Sequence, residues 1–288
     1  MAHDDLLFRH RRCFAALAAS LLIGGCGSAP PVAVQALPSS LTFTWPTSMD
    51  LQQDGQLLVV ENGSHRLVRV QPATGHVTEV AGGLAKPYAV AVAPNGATYI
   101  SNARMLERSD SGGPLVAVAQ AGEDIGPIAI AANGDVFYTT ANSVFWLKGG
   151  TGAPQRLASK SKFHNPHGIG VAADGEILVC DTGSNRILRI DLKTGRVSTF
   201  IEMDQPRGLD VAADGTLYVV DAGTKRIEHL SADGTRRGFV GPMFNDPYDV
   251  EVAEDGVVYV IETAEVGTIR AIAPDGIAST ISTAAPSR

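Results

Sequence analysis

The chain has 288 residues, of which 44% are hydrophobic and 18% charged, and its formal net charge is −7. Because the chain is acidic and its folded part contains no run of Lys or Arg, the composition gives no support for nucleic-acid binding. Only three cysteines are present, too few for a disulfide-held framework. The length exceeds that of a typical single domain but suits a closed β-architecture.

Residues 1–25 have the pattern of an export signal. Three arginines within residues 9–12 precede an apolar run over residues 13–23, and small residues follow it. The run is shorter than the ~20 residues that a membrane-spanning helix needs, so a secretory signal peptide is predicted. The sequence Ile-Gly-Gly-Cys ending at Cys26 resembles the lipobox of bacterial lipoproteins. This resemblance implies that Cys26 becomes a lipidated N-terminus; the alternative is ordinary secretion, with no role for Cys26.

Residues 26–40 are rich in Pro and Ser and predict a semi-flexible tether. We therefore expect an exported protein that the lipid anchor alone attaches to the bacterial cell envelope, on the periplasmic side of the outer membrane or at the cell surface. Cys13 is removed with the signal, so Cys180 is the one free thiol expected in the mature protein. Its apolar strand predicts a buried, inert group.

A repeat of about 40 residues fills residues 41–288. Its first marker is a proline that recurs at steps of 41, 40, 39, 40 and 41 residues: Pro46, Pro87, Pro127, Pro166, Pro206 and Pro247. An Asp-Gly or Asn-Gly pair follows each proline, and apolar alternation between these turn formers indicates four antiparallel strands in each unit. The predicted fold is an all-β, six-bladed β-propeller of four-stranded antiparallel blades. We also expect residues 41–44 to add to the last blade.

The strand after each proline is predicted to line the central channel. Its bulky residues should pack between blades, and the alternate residues should face the channel. Most of the latter are small, but four are acidic: Asp50, Asp210, Asp249 and Glu251. Converging carboxylates repel one another unless a cation or a bound proton relieves them, and oxygen ligands suit Ca²⁺ or Mg²⁺. A metal site on these four residues is one interpretation, and a water-filled channel with solvated charges is the other.

The residue after each proline should lie at the mouth of the channel. Two tyrosines, a histidine and an arginine meet there: Tyr88, His167, Arg207 and Tyr248. Together they offer hydrogen-bond donors, a titratable base and a cation, so this mouth is the best candidate site in the sequence. The alternative is that these residues only pack the entrance.

Acidic residues also begin the connections between the second and third strands, on the face that carries the prolines. Glu61, Asp181 and Asp221 each stand before a glycine-containing loop that ends in arginine. A carboxylate here can accept hydrogen bonds from loop amides and pair with the arginine, so a structural role is favoured over direct ligand contact.

The repeat unit resembles the NHL repeat. Its pattern, Pro-x-Gly-(Ile/Leu)-x-Val-x-x-Asp-Gly followed by Val-x-Asp-x-Gly-x-x-Arg-Ile, is clearest in the fourth and fifth units. The resemblance implies a six-bladed propeller that serves as a binding platform. Virginiamycin B lyase and gluconolactonase have similar propellers with axial metals. By analogy with the second, five residues could reach a ligand: Glu61, Asn102, Asp181, Asp221 and Glu262. The peptidyl-hydroxyglycine lyase is also similar, but of its three Pro-His corners only His167 is present, so its zinc site is absent.

Two functions follow as hypotheses. The leading one is a monomeric, lipid-anchored propeller that binds an envelope protein, a peptide, a glycan or a small molecule at its proline-bearing face. The alternative is a cation-dependent lyase or lactonase with His167 as base, Tyr248 as acid and Arg207 as anion clamp. A purely architectural module is a third interpretation.

Overall fold

The computed structural model describes residues 42–158, 163–263 and 266–281. The chain divides into two units, Met1–Ala36 and Leu37–Arg288, and all described residues belong to the second. The predicted signal peptide, Cys26 and the whole predicted tether, residues 26–40, lie outside the described residues. None of the helices among the described residues is both long and apolar enough to cross a membrane.

Six four-stranded sheets form the body, and this confirms the predicted fold class. The strands of the first three sheets, in chain order, are β1 (Pro46–Leu51), β2 (Leu57–Glu61), β3 (Arg66–Gln71), β4 (His76–Ala81), β5 (Pro87–Val92), β6 (Thr98–Asn102), β7 (Met105–Ser109), β8 (Val116–Gln120), β9 (Ile128–Ile130), β10 (Val136–Thr140), β11 (Ser143–Leu147) and β12 (Gln155–Ala158). A short 3₁₀ turn, Lys148–Gly150, follows β11.

The remaining three sheets repeat this plan. Their strands are β13 (Gly168–Val171), β14 (Ile177–Asp181), β15 (Arg186–Ile190), β16 (Val197–Glu202), β17 (Pro206–Val211), β18 (Leu217–Asp221), β19 (Arg226–Leu230), β20 (Arg236–Val240), β21 (Pro247–Val252), β22 (Val258–Glu262), β23 (Thr268–Ile272) and β24 (Ala278–Thr280). A second 3₁₀ turn, Thr182–Ser184, follows β14. All neighbouring strands within a sheet are antiparallel and consecutive, so each sheet is one blade.

The turn after each inner strand explains why the Asp-Gly and Asn-Gly pairs recur. In the first blade Gly55 has a φ of 76°, a conformation that glycine adopts without steric cost. The Asp54 carboxylate accepts a hydrogen bond from the amide of Gln56 at 3.1 Å. The pair therefore reverses the chain at the face opposite the prolines, and the second strand returns toward the channel mouth.

The core lies between blades rather than in one central mass. Each buried apolar cluster joins two neighbouring blades; the one that joins the first and last blades contains Met49, Val59 and Ile261. The bulky residues of the inner strands thus pack where the sequence predicted. Cys180 is also fully buried, as expected, and burial raises the pKa of its thiol.

A residue that precedes the first blade takes part in closing the ring. Phe43 pairs with Gly267 of the last blade through two backbone hydrogen bonds of 2.8 and 3.0 Å. Its side chain is 4% exposed and lies in the cluster between the first and last blades. The expected addition to the last blade is therefore a single bridge at Phe43, while residue 41 lies outside the described residues.

Candidate ligand site at the channel mouth

The inner strands of all six blades surround a cavity of about 250 Å³. Tyr88 and His167 line its upper end, while the four acidic residues predicted to face the channel line its wall. Among the described lining residues none is Lys or Arg. The cavity is thus an acidic channel with an aromatic entrance.

The two tyrosines of the mouth form a bridge across it. The Oη atoms of Tyr88, in the second blade, and Tyr248, in the sixth, are 2.9 Å apart. One hydroxyl donates to the other, which leaves one hydroxyl proton of the pair for a third group. Burial raises the pKa of both phenols, so both remain protonated at neutral pH.

Arg207 stands beside this bridge and is held from two sides. Its Nη1 donates to Asp246 Oδ1 at 2.9 Å and to the carbonyl oxygen of Pro247 at 3.3 Å. Its guanidinium lies over the Tyr248 ring, 5.2 Å from the centroid. These contacts fix the cation at the rim of the mouth.

His167 has a hydrogen-bonding nitrogen that nothing in the described structure satisfies. Its ring centroid is 5.8 Å from that of Tyr248, and Nδ1 is buried without a hydrogen-bond partner. Burial, together with the positive charge of Arg207, lowers the pKa of His167 from 6.5 to about 4. The imidazole is therefore neutral at pH 7 and offers one donor and one acceptor.

The structure thus brings together the four mouth residues that the sequence predicted. It also shows why Thr47, which follows the first proline, contributes less. Thr47 is only 5% exposed, and its Oγ1 donates to the Tyr88 carbonyl oxygen at 2.7 Å. Thr47 therefore stabilises the rim through Tyr88.

The four channel carboxylates lie close together but are already engaged by the protein. Asp50 accepts the amide of Val92 at 2.6 Å. Asp210 accepts the amide of Val252 at 2.8 Å. Each of these bonds connects one blade to the next, which sequence reasoning did not foresee.

Asp249 makes the corresponding bond where the ring closes, since it accepts the amide of Met49 in the first blade at 2.9 Å. Among the described residues, Glu251 accepts no amide of the first blade; burial raises its pKa, and the negative charges of Asp210 and Asp50 add to that rise.

Burial raises the pKa of all four groups. It raises those of Asp50 and Asp249 to about 7, and it raises those of Asp210 and Glu251 as well. The negative charge of Asp210 adds to the shifts of the other three. Bound protons can therefore relieve the repulsion between the four carboxylates.

This donor set does not fit a metal ion. Each of the three aspartates already accepts a backbone amide of the neighbouring blade. Within residues 42–158, 163–263 and 266–281, no three or more His, Cys, Asp or Glu side chains are grouped to hold a metal. The metal site on these residues stays a prediction without geometric support.

The five residues at the ends of the second strands do not line the cavity. Glu61, Asn102, Asp181, Asp221 and Glu262 are all between 0% and 9% exposed. Most of them accept the amide of a residue that leads into the same blade's inner strand: Thr44 with Glu61 at 2.8 Å, Lys86 with Asn102 at 2.9 Å, His164 with Asp181 at 2.5 Å and Asn245 with Glu262 at 2.7 Å.

The arginines of these loops complete the same ties. Arg66 Nε donates to Glu61 at 2.5 Å, and Arg186 Nε donates to Asp181 at 3.0 Å. Asp221 differs, since it accepts the amide of Thr224 in its own loop at 2.8 Å. These contacts support the structural interpretation, and ligand contact by the five residues stays a prediction.

One contributor to the site was missed in the sequence. Asp246, which holds Arg207, directly precedes Pro247, and that position could have marked it as a rim residue. Ser48 was expected to face the channel, and it accepts the amide of Val90 at 3.3 Å. What the sequence did not show is this role as an acceptor.

Residues 163–190 match the family model of the NHL repeat. The fourth blade carries an NHL repeat. The match covers the second and third strands of that blade and the inner strand before them, and it confirms the resemblance to NHL-repeat propellers. No curated protein matches the chain.

Solved structures with the same fold include two enzymes. A catalytically inactive virginiamycin B lyase from Staphylococcus aureus with quinupristin is 17% identical, with a TM-score of 0.65 over 86% of this chain and 87% of that one. A gluconolactonase from Xanthomonas campestris is 17% identical, with a TM-score of 0.68 over 81% and 88%.

A calcium-binding regucalcin from Agrobacterium tumefaciens is also similar. It is 17% identical, with a TM-score of 0.62 over 80% of this chain and 84% of that one. At this level of identity the three likenesses establish the six-bladed fold and not a shared activity.

Proposed function

We propose that this NHL-repeat propeller is a binding protein whose ligand sits at the channel mouth, between Tyr88, His167, Arg207 and Tyr248. The observation that carries the proposal is the buried, unpartnered Nδ1 of His167. An unsatisfied buried polar atom costs about 1–3 kcal/mol, and a ligand hydrogen bond at this atom removes that cost.

The neighbouring groups favour a polar ligand with an aromatic or planar part. One proton of the Tyr88–Tyr248 pair is available to an acceptor, and Arg207 offers its remaining N–H groups to a second acceptor. The aromatic rings supply a flat apolar surface at low entropic cost. A peptide, a glycan or a small molecule with several carbonyl or hydroxyl groups meets these requirements, alone or as part of an envelope protein.

We further propose that the protein is exported and held on the cell envelope by a lipid on Cys26, as a monomer. The support is the order of basic residues, apolar run and small residues before Cys26 in the sequence. The residues between Cys26 and the first blade then let the mouth reach a ligand at some distance from the bilayer.

A cation-dependent lyase or lactonase is the second candidate. The fold similarity to virginiamycin B lyase and gluconolactonase favours it, and so does the closeness of His167 to Tyr248. The pKa of His167, about 4, makes this imidazole a weak base, and the channel carboxylates do not fit a metal. Binding is therefore the function that the geometry supports best.

The test is a thermal-shift screen of peptides, glycans and small molecules, followed by calorimetry of each ligand found. We expect His167→Ala and Tyr248→Phe to weaken binding about tenfold, which corresponds to about 1.4 kcal/mol. His76→Ala is the matched control, because His76 is exposed at the start of β4 on the opposite face.

Two outcomes would contradict the proposal. In the first, every ligand found binds the mouth variants as tightly as it binds the wild type. In the second, quinupristin or gluconolactone is turned over in the presence of Mg²⁺ or Ca²⁺, with loss of turnover in His167→Ala; this result would establish the enzyme instead.

A further inference from the structure

The inner strands of a propeller leave backbone amides without partners on the channel side. In the second blade, Ala93 donates to Ala97 at 2.7 Å, which fixes the phase of hydrogen bonding along β5 and β6. Alternate residues such as Val90 and Val92 therefore point their amides into the channel. Backbone amides buried in this way need an acceptor from elsewhere.

Four side chains supply that acceptor, and they do so by one positional rule. The acceptor stands two or four residues after the proline of its own blade. The amide belongs to the following blade, at the position that is one residue further from that blade's proline. The four pairs are Ser48 with Val90, Asp50 with Val92, Asp210 with Val252 and Asp249 with Met49. The same geometry thus recurs at the contacts of blade one with two, five with six, and six with one.

We propose that the channel carboxylates are inter-blade acceptors that hold this side of the ring closed, and that they are not ligands of a resident divalent cation. Beside these hydrogen bonds, burial raises the pKa of Asp50 and Glu251, so bound protons can relieve the repulsion between the carboxylates without a metal. The ring accordingly closes and remains closed without Ca²⁺ or Mg²⁺.

Asp50 offers the sharpest test because asparagine can accept the same hydrogen bond. In Asp50→Asn the amide oxygen accepts the Val92 N–H. In Asp50→Ala the Val92 amide loses its acceptor. A metal site distinguishes the two variants poorly, since both lose a charged ligand.

The experiment is thermal unfolding of the purified protein and the two variants, each with EDTA, with Ca²⁺ and with Mg²⁺. We expect Asp50→Asn to melt about 3–6 °C above Asp50→Ala. We also expect the metals to shift the wild-type transition by less than about 1 °C. Glu254→Gln is the control for loss of one negative charge, since Glu254 is exposed.

Three results would overturn the proposal. One is a cation-dependent rise in the wild-type melting temperature that Asp50→Asn abolishes. Another is stoichiometric calcium or magnesium in the purified protein by elemental analysis, lost in the same variant. The third is equal stability of the Asn and Ala variants, because the acceptor would then contribute nothing. If Asp50→Ala does not fold, the metal measurements on wild type and Asp50→Asn still decide.

Discussion

The two halves of the channel wall are built differently. On one side, Ser48, Asp50, Asp210 and Asp249 accept amides from the following blade. On the other side the equivalent positions hold residues without a side-chain acceptor: Ala89, Ala91, Ala129, Ala131, Gly168 and Gly170. Six blades of one plan thus place two kinds of residue near the axis. One kind accepts hydrogen bonds through its side chain, and the other is small and has no side-chain acceptor.

The largest expected effect is a pH dependence that arises on the acidic side. Because the pKa values of Asp50 and Asp249 are raised to about 7 in the folded protein, their contribution to stability is full below pH 4 and is lost as pH rises through 7. His167 acts in the opposite sense, since its pKa is lowered to about 4. We expect urea unfolding to show a loss on the order of 3 kcal/mol between pH 5 and pH 8.

Asp50→Asn should reduce the loss of unfolding free energy between pH 5 and pH 8. His167→Gln should increase this loss at the acid end of the range. A wild-type free energy of unfolding that is constant or rises from pH 5 to pH 8 would show that the carboxylates are charged throughout.

The next effect tests close approach on the other side. A Cβ added to Gly168 would collide with the carbonyl oxygen of Arg207 in the next blade, which is backbone and cannot turn away. Gly168→Ala should therefore lower the free energy of unfolding by about 2–3 kcal/mol. Gly170 is the matched control, since a Cβ there meets only side-chain atoms, of Leu209 at 3.3 Å and of Val211 at 3.4 Å. Equal losses in the two variants would mean that the blades approach no more closely at Gly168.

A hydrogen bond between two tyrosines spans the mouth and connects the two sides. Tyr88 belongs to the second blade and Tyr248 to the sixth, with 2.9 Å between their hydroxyl oxygens. A double-mutant cycle of Tyr88→Phe and Tyr248→Phe should give a coupling energy of about 1 kcal/mol in denaturant unfolding. Additive effects of the two substitutions would indicate that the hydroxyls bond to water instead.

The smallest effect is expected when a side-chain acceptor is removed from the acidic side or added to the other side. Ser48→Ala removes the acceptor of the Val90 amide and should cost about 0.5–1 kcal/mol. Ala129→Ser places a hydroxyl at the equivalent position of the third blade and should add about 0.5 kcal/mol. Urea midpoints of both variants measure this difference. If Ala129→Ser is destabilising, the positional rule does not extend to that side.

The fold could be predicted from the sequence because its information is local and repeated. A proline, alternating apolar residues and an Asp-Gly turn each act within a few residues, and six copies of them leave little choice of architecture. The mouth residues were predictable for the same reason, since each follows a proline.

The binding partners of the channel carboxylates could not be predicted in this way. Asp249 and the amide of Met49 are 200 residues apart in sequence. Whether Asp249 binds an amide, a proton or a metal depends on distances between blades, which no single repeat encodes. The same applies to His167, because only its packed surroundings show that Nδ1 lacks a partner and that its pKa is lowered.

The pairing of Phe43 has a consequence for folding during synthesis. Phe43 is made before any blade, yet its partner Gly267 belongs to the last one. During synthesis the apolar side of the first blade therefore stays exposed until the last blade has been made. A nascent chain with such a flank is a natural client for chaperones, and recombinant versions that start after Phe43 should assemble poorly.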